Sequence, residues 1–199
     1  KMLSDLLSFS RPQDMVNIHL NYYKAGSHAV ETNTFGASPM RLCEYDFSGI
    51  DLNAFEAIPY PQMDFRGNDY EALAYYMSRR GAELACEARS RYLKDPGYDG
   101  RPLFVFGSIG PSNRVLSSTK ADLTVSTYES IMDNFYHQVR GLVDGGADVL
   151  LYETQQDILE LKAAVMGGQK AMKELGVKLP IIAQVTVDKF CKMQIFNTD

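Results

Sequence analysis

The chain has 199 residues, 45% of them hydrophobic and 23% charged, with a net charge of −5. That length suits one domain with a real core and is short for two. Acidic and basic residues are interspersed, so there is no basic patch for a phosphate backbone. No apolar run is long enough to span a bilayer. Neither nucleic acid nor a membrane is an expected partner.

The first segment, "KMLSDLLSFSRPQDM", has too short an apolar stretch and too early an acid for a secretory signal. Cys43, Cys86 and Cys191 are odd in number and widely spaced, which argues against a disulfide framework. The expected location is the cytoplasm. From Pro12 to Ala25, Met15, Ile18 and Tyr22 share one helical face, with Pro12 in the first turn and Gly26 as a stop.

The run "AVETNTF" (29–35) follows and reads as a strand whose second half is polar. From 39 to 69 the chain is irregular and rich in Pro, Asp and aromatic residues, which predicts a long loop between strand and helix. Tyr70 to Tyr92 repeats apolar residues at three- and four-residue spacing, so a helix is expected there. "LFVFGSIGP" (103–111) is the second strand. Ser126 to Val143 is the cleanest helix, with Ser126 and Glu129 placed for a capping box and "DGGAD" as its end. "DVLLYETQ" (148–155) is the third strand, Asp157 to Leu175 a helix closed by Gly176, and "PIIAQVTVD" (180–188) the fourth strand.

Brief apolar strands alternating with helices imply a parallel sheet with crossover helices, either a (β/α)8 barrel or an open doubly wound sheet. No G-x-G-x-x-G follows any strand, so a dinucleotide fold has no positive support. Each of the four strands carries polar residues at its C-terminal end: Glu31–Thr34, Ser108, Glu153–Gln155 and Thr186–Asp188. In parallel α/β proteins those ends converge on the face where ligands bind. Four polar ends together favour a pocket over four independent turns.

Glu153, after four apolar residues, is placed where a carboxylate is partly desolvated. Such a group requires a partner: a substrate ammonium, a helix N-terminus or a loop cation such as Arg114. Asn33, Thr34 and Ser108 supply neutral hydrogen-bonding groups that either orient a small polar molecule or, for Asn33 and Thr34, close the turn before Gly36. Metal and nucleophile patterns are weak. His19 and His137 fall on outer helices as surface or packing residues, Cys86 is mid-helix, and no H-E-x-x-H or C-x-x-C occurs.

Together, "RPQDMVNIHLNYYKAGSHAVETNTFGAS", "FVFGSIGPSNR", "FYHQVRGLVDGGADVLLYETQQD" and "LPIIAQVTVD" resemble the homocysteine S-methyltransferases, and among them the homocysteine-binding domain of cobalamin-dependent methionine synthases. The resemblance runs in order across nearly the whole chain apart from 39–69. It implies a (β/α)8 TIM barrel, of which this chain, 1–199, covers about strands two to five as a partial homocysteine-binding domain. It further implies that homocysteine is bound at the strand ends, where zinc turns its thiol into a thiolate that attacks the methyl group of methylcobalamin, giving methionine. Cobalamin- and folate-binding domains, of the same or another chain, are the implied partners.

In that picture Glu153 holds the homocysteine amino group, with Asn33, Thr34 and Ser108 lining the same pocket. The family's zinc cysteines follow later strands, so Cys43, Cys86 and Cys191 do not match them and are not carried over as ligands. The family's first-strand Asp-Gly-Ala-Met-Gly-Thr loop is also unmatched. The expectation is a fragment of a longer methyltransferase or half of an assembly, inactive in methyl transfer by itself. A betaine or S-methylmethionine donor and a non-catalytic half-barrel module are the alternatives.

Overall fold

Three of the four helix-to-strand joints close in the same way. Helix α2 (Pro12–Lys24), helix α5 (Tyr128–Asp144) and helix α6 (Ile158–Glu174) each run into a glycine of positive φ: Gly26, Gly146 and Gly176. At each, the glycine N–H and the next residue's N–H reach back to the last turn: Gly26 to Tyr23 and Ser27 to Tyr22, Gly146 to Val143 and Ala147 to Leu142, Gly176 to Lys173 and Val177 to Met172. This is the Schellman closure, which satisfies the orphan carbonyls and turns the chain back. It delivers the chain into strands β1 (Ala29–Glu31), β3 (Val149–Gln155) and β4 (Ile181–Val185). Helix α4 (Tyr70–Tyr92) feeds strand β2 (Phe104–Ile109) through a longer turn.

The computed structural model describes residues 3–48, 69–117, 124 and 126–193. The strands form one parallel sheet in the order β1-β2-β3-β4. That order never reverses, as it would at the switch point of a doubly wound sheet, and it is the order of a barrel wall. One face of the sheet is sealed by helices. Val30, Val105, Leu150 and Tyr152 are buried there, and Leu150 and Tyr152 share a core with Ile131, Phe135, Val139 and Leu142 of α5 and Ala163, Ala164, Ala171 and Met172 of α6. On the opposite face Phe104 and Ile182 remain partly open to solvent.

Helices α4, α5 and α6 approach so closely that side chains are excluded at the crossings. A Cβ at Gly141 of α5 would meet the Tyr75 carbonyl oxygen of α4 at 2.1 Å, and one at Gly167 of α6 would meet the Met132 carbonyl oxygen of α5 at 2.0 Å.

Several local expectations are corrected. The capping box of α5 is made by Thr127 and Ser130, not Ser126 and Glu129: Thr127 Oγ1 accepts from Ser130 N at 3.0 Å and Ser130 Oγ accepts from Thr127 N at 3.0 Å. The box needs a hydroxyl with extended backbone immediately before the helix, which Thr127 provides. Strand β1 ends at Glu31, so Thr32–Phe35 form a turn rather than strand. Within the region expected to be a loop, a short helix α3 (Pro39–Leu42) forms, started by Pro39. Most of the 39–69 loop lies outside the described residues. Before α2, a 3-10 turn (Ser4–Leu6) and helix α1 (Leu7–Ser10) were not anticipated; they bury Phe9 against Leu42, Leu73 and Met77.

Gly141→Ala tests the close packing. The added methyl forces α4 and α5 apart, at a cost of about 1–3 kcal/mol that outweighs the gain of up to about 1 kcal/mol in helix propensity. Urea unfolding of the variant is expected to show that net loss of stability.

Candidate functional site

A cavity of about 630 Å³ runs along β1 between that strand and α2, from Ser27 to Phe35, and reaches Ser108 and Glu153 near the C-terminal ends of β2 and β3. Glu31, Thr32, Asn33, Thr34, Ser108 and Glu153 all line it. The structure therefore brings together the four residues singled out from sequence, Asn33, Thr34, Ser108 and Glu153.

A closed ring of hydroxyl and backbone hydrogen bonds ties the first two strand ends. Thr34 Oγ1 donates to the Ser108 carbonyl at 2.7 Å, and Ser108 N donates to Thr32 Oγ1 at 3.0 Å. The two threonine hydroxyls lie 2.6 Å apart. Because the single Thr34 proton goes to Ser108, the proton between the threonines belongs to Thr32. Each hydroxyl then both donates and accepts, and nothing in the ring is left unpaired. Gln138 of α5 adds a bond from Nε2 to the Thr34 carbonyl at 2.7 Å. Asn33 turns the other way, donating from Nδ2 to the Ser4 carbonyl at 2.7 Å.

The ring holds Ser108 in place, and the Ser108 hydroxyl donates to Glu153 Oε1. Glu153 is itself aimed by an irregularity. The β3–β4 register shifts between Tyr152 and Gln155, and Thr154 takes φ +57°, a left-handed conformation that a β-branched residue rarely adopts. Such a bulge re-aims a side chain at about 1–3 kcal/mol of local strain. Gln155 secures its far side by donating to the Ile109 carbonyl at 3.3 Å.

The alternatives left open for Glu153 do not form. The N-cap of α6 is Asp157, and among the described residues no lysine or arginine, Arg114 included, pairs with Glu153. Glu31 also lacks such a partner among the described residues. Desolvation first, and the Glu153 charge second, push its carboxyl above the ordinary range.

His19 was placed by sequence on an outer helix, as a surface or packing residue. It lies 6% exposed in the cavity wall, and burial lowers its pKa to about 4, so the imidazole is neutral at pH 7. Its Nε2 has no hydrogen-bond partner among the described residues. One-residue pattern reading misses it because its position, one step from Ile18 on α2, shows no motif.

The loop after β2 is anchored on the start of α6. Ser112 N donates to Glu160 Oε1 at 2.6 Å, while Leu116 N and Ser117 N donate to Asp157 Oδ2 at 2.7 and 2.8 Å. Asp157 also caps the helix through Leu159 N at 2.9 Å. Burial opposes its ionisation, but the bonds from Ser117, Leu116 and Glu160 outweigh it and hold its carboxyl below the usual range.

Cys43, Cys86 and Cys191 are free thiols, and no cysteine belongs to a metal-type cluster among the described residues. These residues do not fit a thiolate zinc centre.

A parallel sheet of barrel order with polar groups gathered at its strand ends defines the class: an α/β protein built as part of a barrel wall, with a polar cavity at the strand ends. The family follows from comparison. The sequence profile of the Homocysteine S-methyltransferase family matches residues 2–196, and the chain belongs to that family. It is 34% identical over 185 residues to a methionine synthase of Mycobacterium tuberculosis and 32% identical over 186 residues to one of Mycobacterium leprae, in each case across 93% of this chain. It spans only 13% of the length of those relatives. The homocysteine methyltransferase MmuM of Escherichia coli has the same fold: its oxidized form superposes with a TM-score of 0.64 at 21% identity, over 92% of this chain and 55% of that one. Its metallated form superposes at 0.61. No helix among the described residues is long and apolar enough to cross a membrane.

Two outcomes are expected at this site. Thr34→Val keeps the shape but opens the hydroxyl ring, leaving buried polar groups unpaired; urea unfolding should show a loss of about 1–3 kcal/mol. Asp157→Asn removes one carboxylate oxygen and its charge, costing about 2 kcal/mol at neutral pH. Because the folded-state pKa of Asp157 is depressed, its contribution is present above the unfolded value near 3.8 and is lost as pH falls through the folded one. The stability gap between wild type and Asp157→Asn is expected to shrink from pH 5 towards pH 3, measured by denaturation at each pH.

Proposed function

We propose that this cavity binds homocysteine as the methyl acceptor of a methionine synthase. One observation carries the reading: Glu153 is a half-buried carboxylate held by Ser108 and by the β3 bulge, with no cationic partner among the described residues. A carboxylate positioned in this way is stabilised by an incoming ammonium. The homocysteine amino group supplies that charge, and the neighbouring Glu31 charge drives the substrate carboxylate to the opposite side. Asn33 and Thr34 line the same cavity, Thr34 chiefly as the support of Ser108.

The transfer moves a methyl group from its donor to the homocysteine sulfur, which must be a thiolate to attack. The resemblance assigns activation of the thiol to zinc and the methyl group to methylcobalamin. The residues described here bind and orient the amino acid; the metal, the cobalamin and the folate-carrying partner domains are supplied by other parts of the enzyme. The two mycobacterial relatives, both methionine synthases, support the methionine synthase reading.

The test is isothermal titration of homocysteine into the protein expressed from its complete reading frame. Glu153→Gln is expected to weaken binding by about ten- to a hundredfold, the value of a charge-assisted hydrogen bond. Unchanged affinity removes Glu153 from the site and the proposal with it.

A further inference from the structure

Away from the strand ends, on the outer surface where α4 and α5 cross, three side chains converge. His137 Nε2 lies 3.4 Å from Glu71 Oε2 and 3.7 Å from Asp133 Oδ2, and the three donor atoms all fall within 4.8 Å of one another. Asp133 and His137 are four residues apart on α5 and so share one face of it. Glu71 comes from the first turn of α4. We propose that Glu71, Asp133 and His137 form a binding site for a divalent transition-metal ion such as Zn²⁺ or Ni²⁺.

The geometry differs from that of an ordinary patch of acids. With metal–ligand distances of about 2.0–2.2 Å, neighbouring donors around one ion stand about 3–3.5 Å apart and opposite donors about 4.2 Å. The separations of His137 Nε2 from Glu71 and Asp133, 3.4 and 3.7 Å, lie close to the value for neighbouring donors, so the ion needs only small side-chain movements to enter. An imidazole nitrogen with two carboxylate oxygens is a donor set that favours Zn²⁺, Co²⁺ or Ni²⁺ over Mg²⁺ or Ca²⁺, which take oxygen alone.

The scaffold is rigid. Gly141 sits against the Tyr75 carbonyl and Gly145 against the Arg79 carbonyl, which fixes the spacing of the two helices. The His137 ring is held edge-on to Tyr136 at 5.2 Å. A cavity of about 380 Å³ lined by Glu71 and His137, and bounded by Asp69, Tyr75, Tyr76 and Arg140, leaves room for water to complete the coordination. Arg140 is the cation nearest in sequence, but its Nη1 donates to the Tyr136 hydroxyl at 3.2 Å and its guanidinium lies over that ring. Among the described residues no lysine or arginine pairs with Glu71 or Asp133. Two carboxylates are thus left with a histidine between them, and an ion there would clip α4 to α5.

The test uses this chain, stripped with a chelator and titrated calorimetrically with ZnCl₂ and then NiCl₂. About one equivalent is expected to bind, with the affinity at least about tenfold lower in His137→Ala and in Glu71→Gln and unchanged in the Cys43→Ser/Cys191→Ser double variant. Zinc should also move the ¹⁵N signal of His137 Nε2 and raise the melting temperature of the wild type but not of His137→Ala. Glu71 is largely exposed, so Glu71→Gln reports even where His137→Ala folds poorly. No saturable binding, binding that survives both substitutions, or binding lost with the two cysteines overturns the site.

Discussion

Everything at the barrel mouth depends on one small ring of hydrogen bonds, the one that passes through Thr32, Thr34 and Ser108. Strand β1 is only three residues long, and its pairing with β2 alone would hold the following turn loosely. The ring extends that pairing past the end of the strand by using side chains where backbone bonds stop. Its protons can run in only one direction, because Thr34 spends its hydrogen on the Ser108 carbonyl. Ser108 is therefore fixed on its backbone side and free to offer its hydroxyl to Glu153. Thr32 and Thr34 act first on the neighbouring strand and, through Ser108, on Glu153.

This explains how much of the site was legible in the sequence. Residue type and position relative to an apolar run placed Glu153 and Ser108 in one cavity, because a polar group at the end of a buried parallel strand has few places to point. The same reading could not distinguish a hydroxyl aimed at ligand from one consumed by a neighbouring strand. That distinction rests on the register between β1 and β2, which no local pattern encodes. Helices α2, α5 and α6 were legible because their apolar period is strong and their glycine stops take positive φ at Gly26, Gly146 and Gly176, whereas α1 and α3, of four residues each, are too short to show a period. The cap of α5 slipped by one residue because Ser126, Thr127, Glu129 and Ser130 offer two overlapping boxes. Backbone conformation, not composition, decides between them.

His19 and His137 show the same limit from the other side. Each looked like an isolated histidine on an outer helix. His19 lines the cavity because α2 lies alongside the edge of β1, and His137 meets Glu71 because α4 and α5 cross at glycines. Glycine packing therefore shapes the chemistry at a distance. By removing side chains at the crossings, it brings groups far apart in sequence to within bonding distance.

The molecule also divides rigidity and strain between its two sides. The helical side is closely packed, with buried apolar cores and helices in backbone contact, and among the described residues its positive-φ positions are glycines: Gly26, Gly146 and Gly176 at helix ends and Gly100 in the turn before β2. Among the described residues the one of positive φ within a strand, Thr154, stands next to Glu153. Strain of that kind persists only where the surroundings over-determine the backbone. Here Gln155 holds one side of the bulge through the Ile109 carbonyl, and Asp157 holds the other by capping α6 and gathering Leu116 and Ser117. Glu153 thus sits on a short distorted segment clamped at both ends. Its carboxylate keeps one direction with no cation among the described residues to hold it, which is the feature the proposed ammonium ligand would meet.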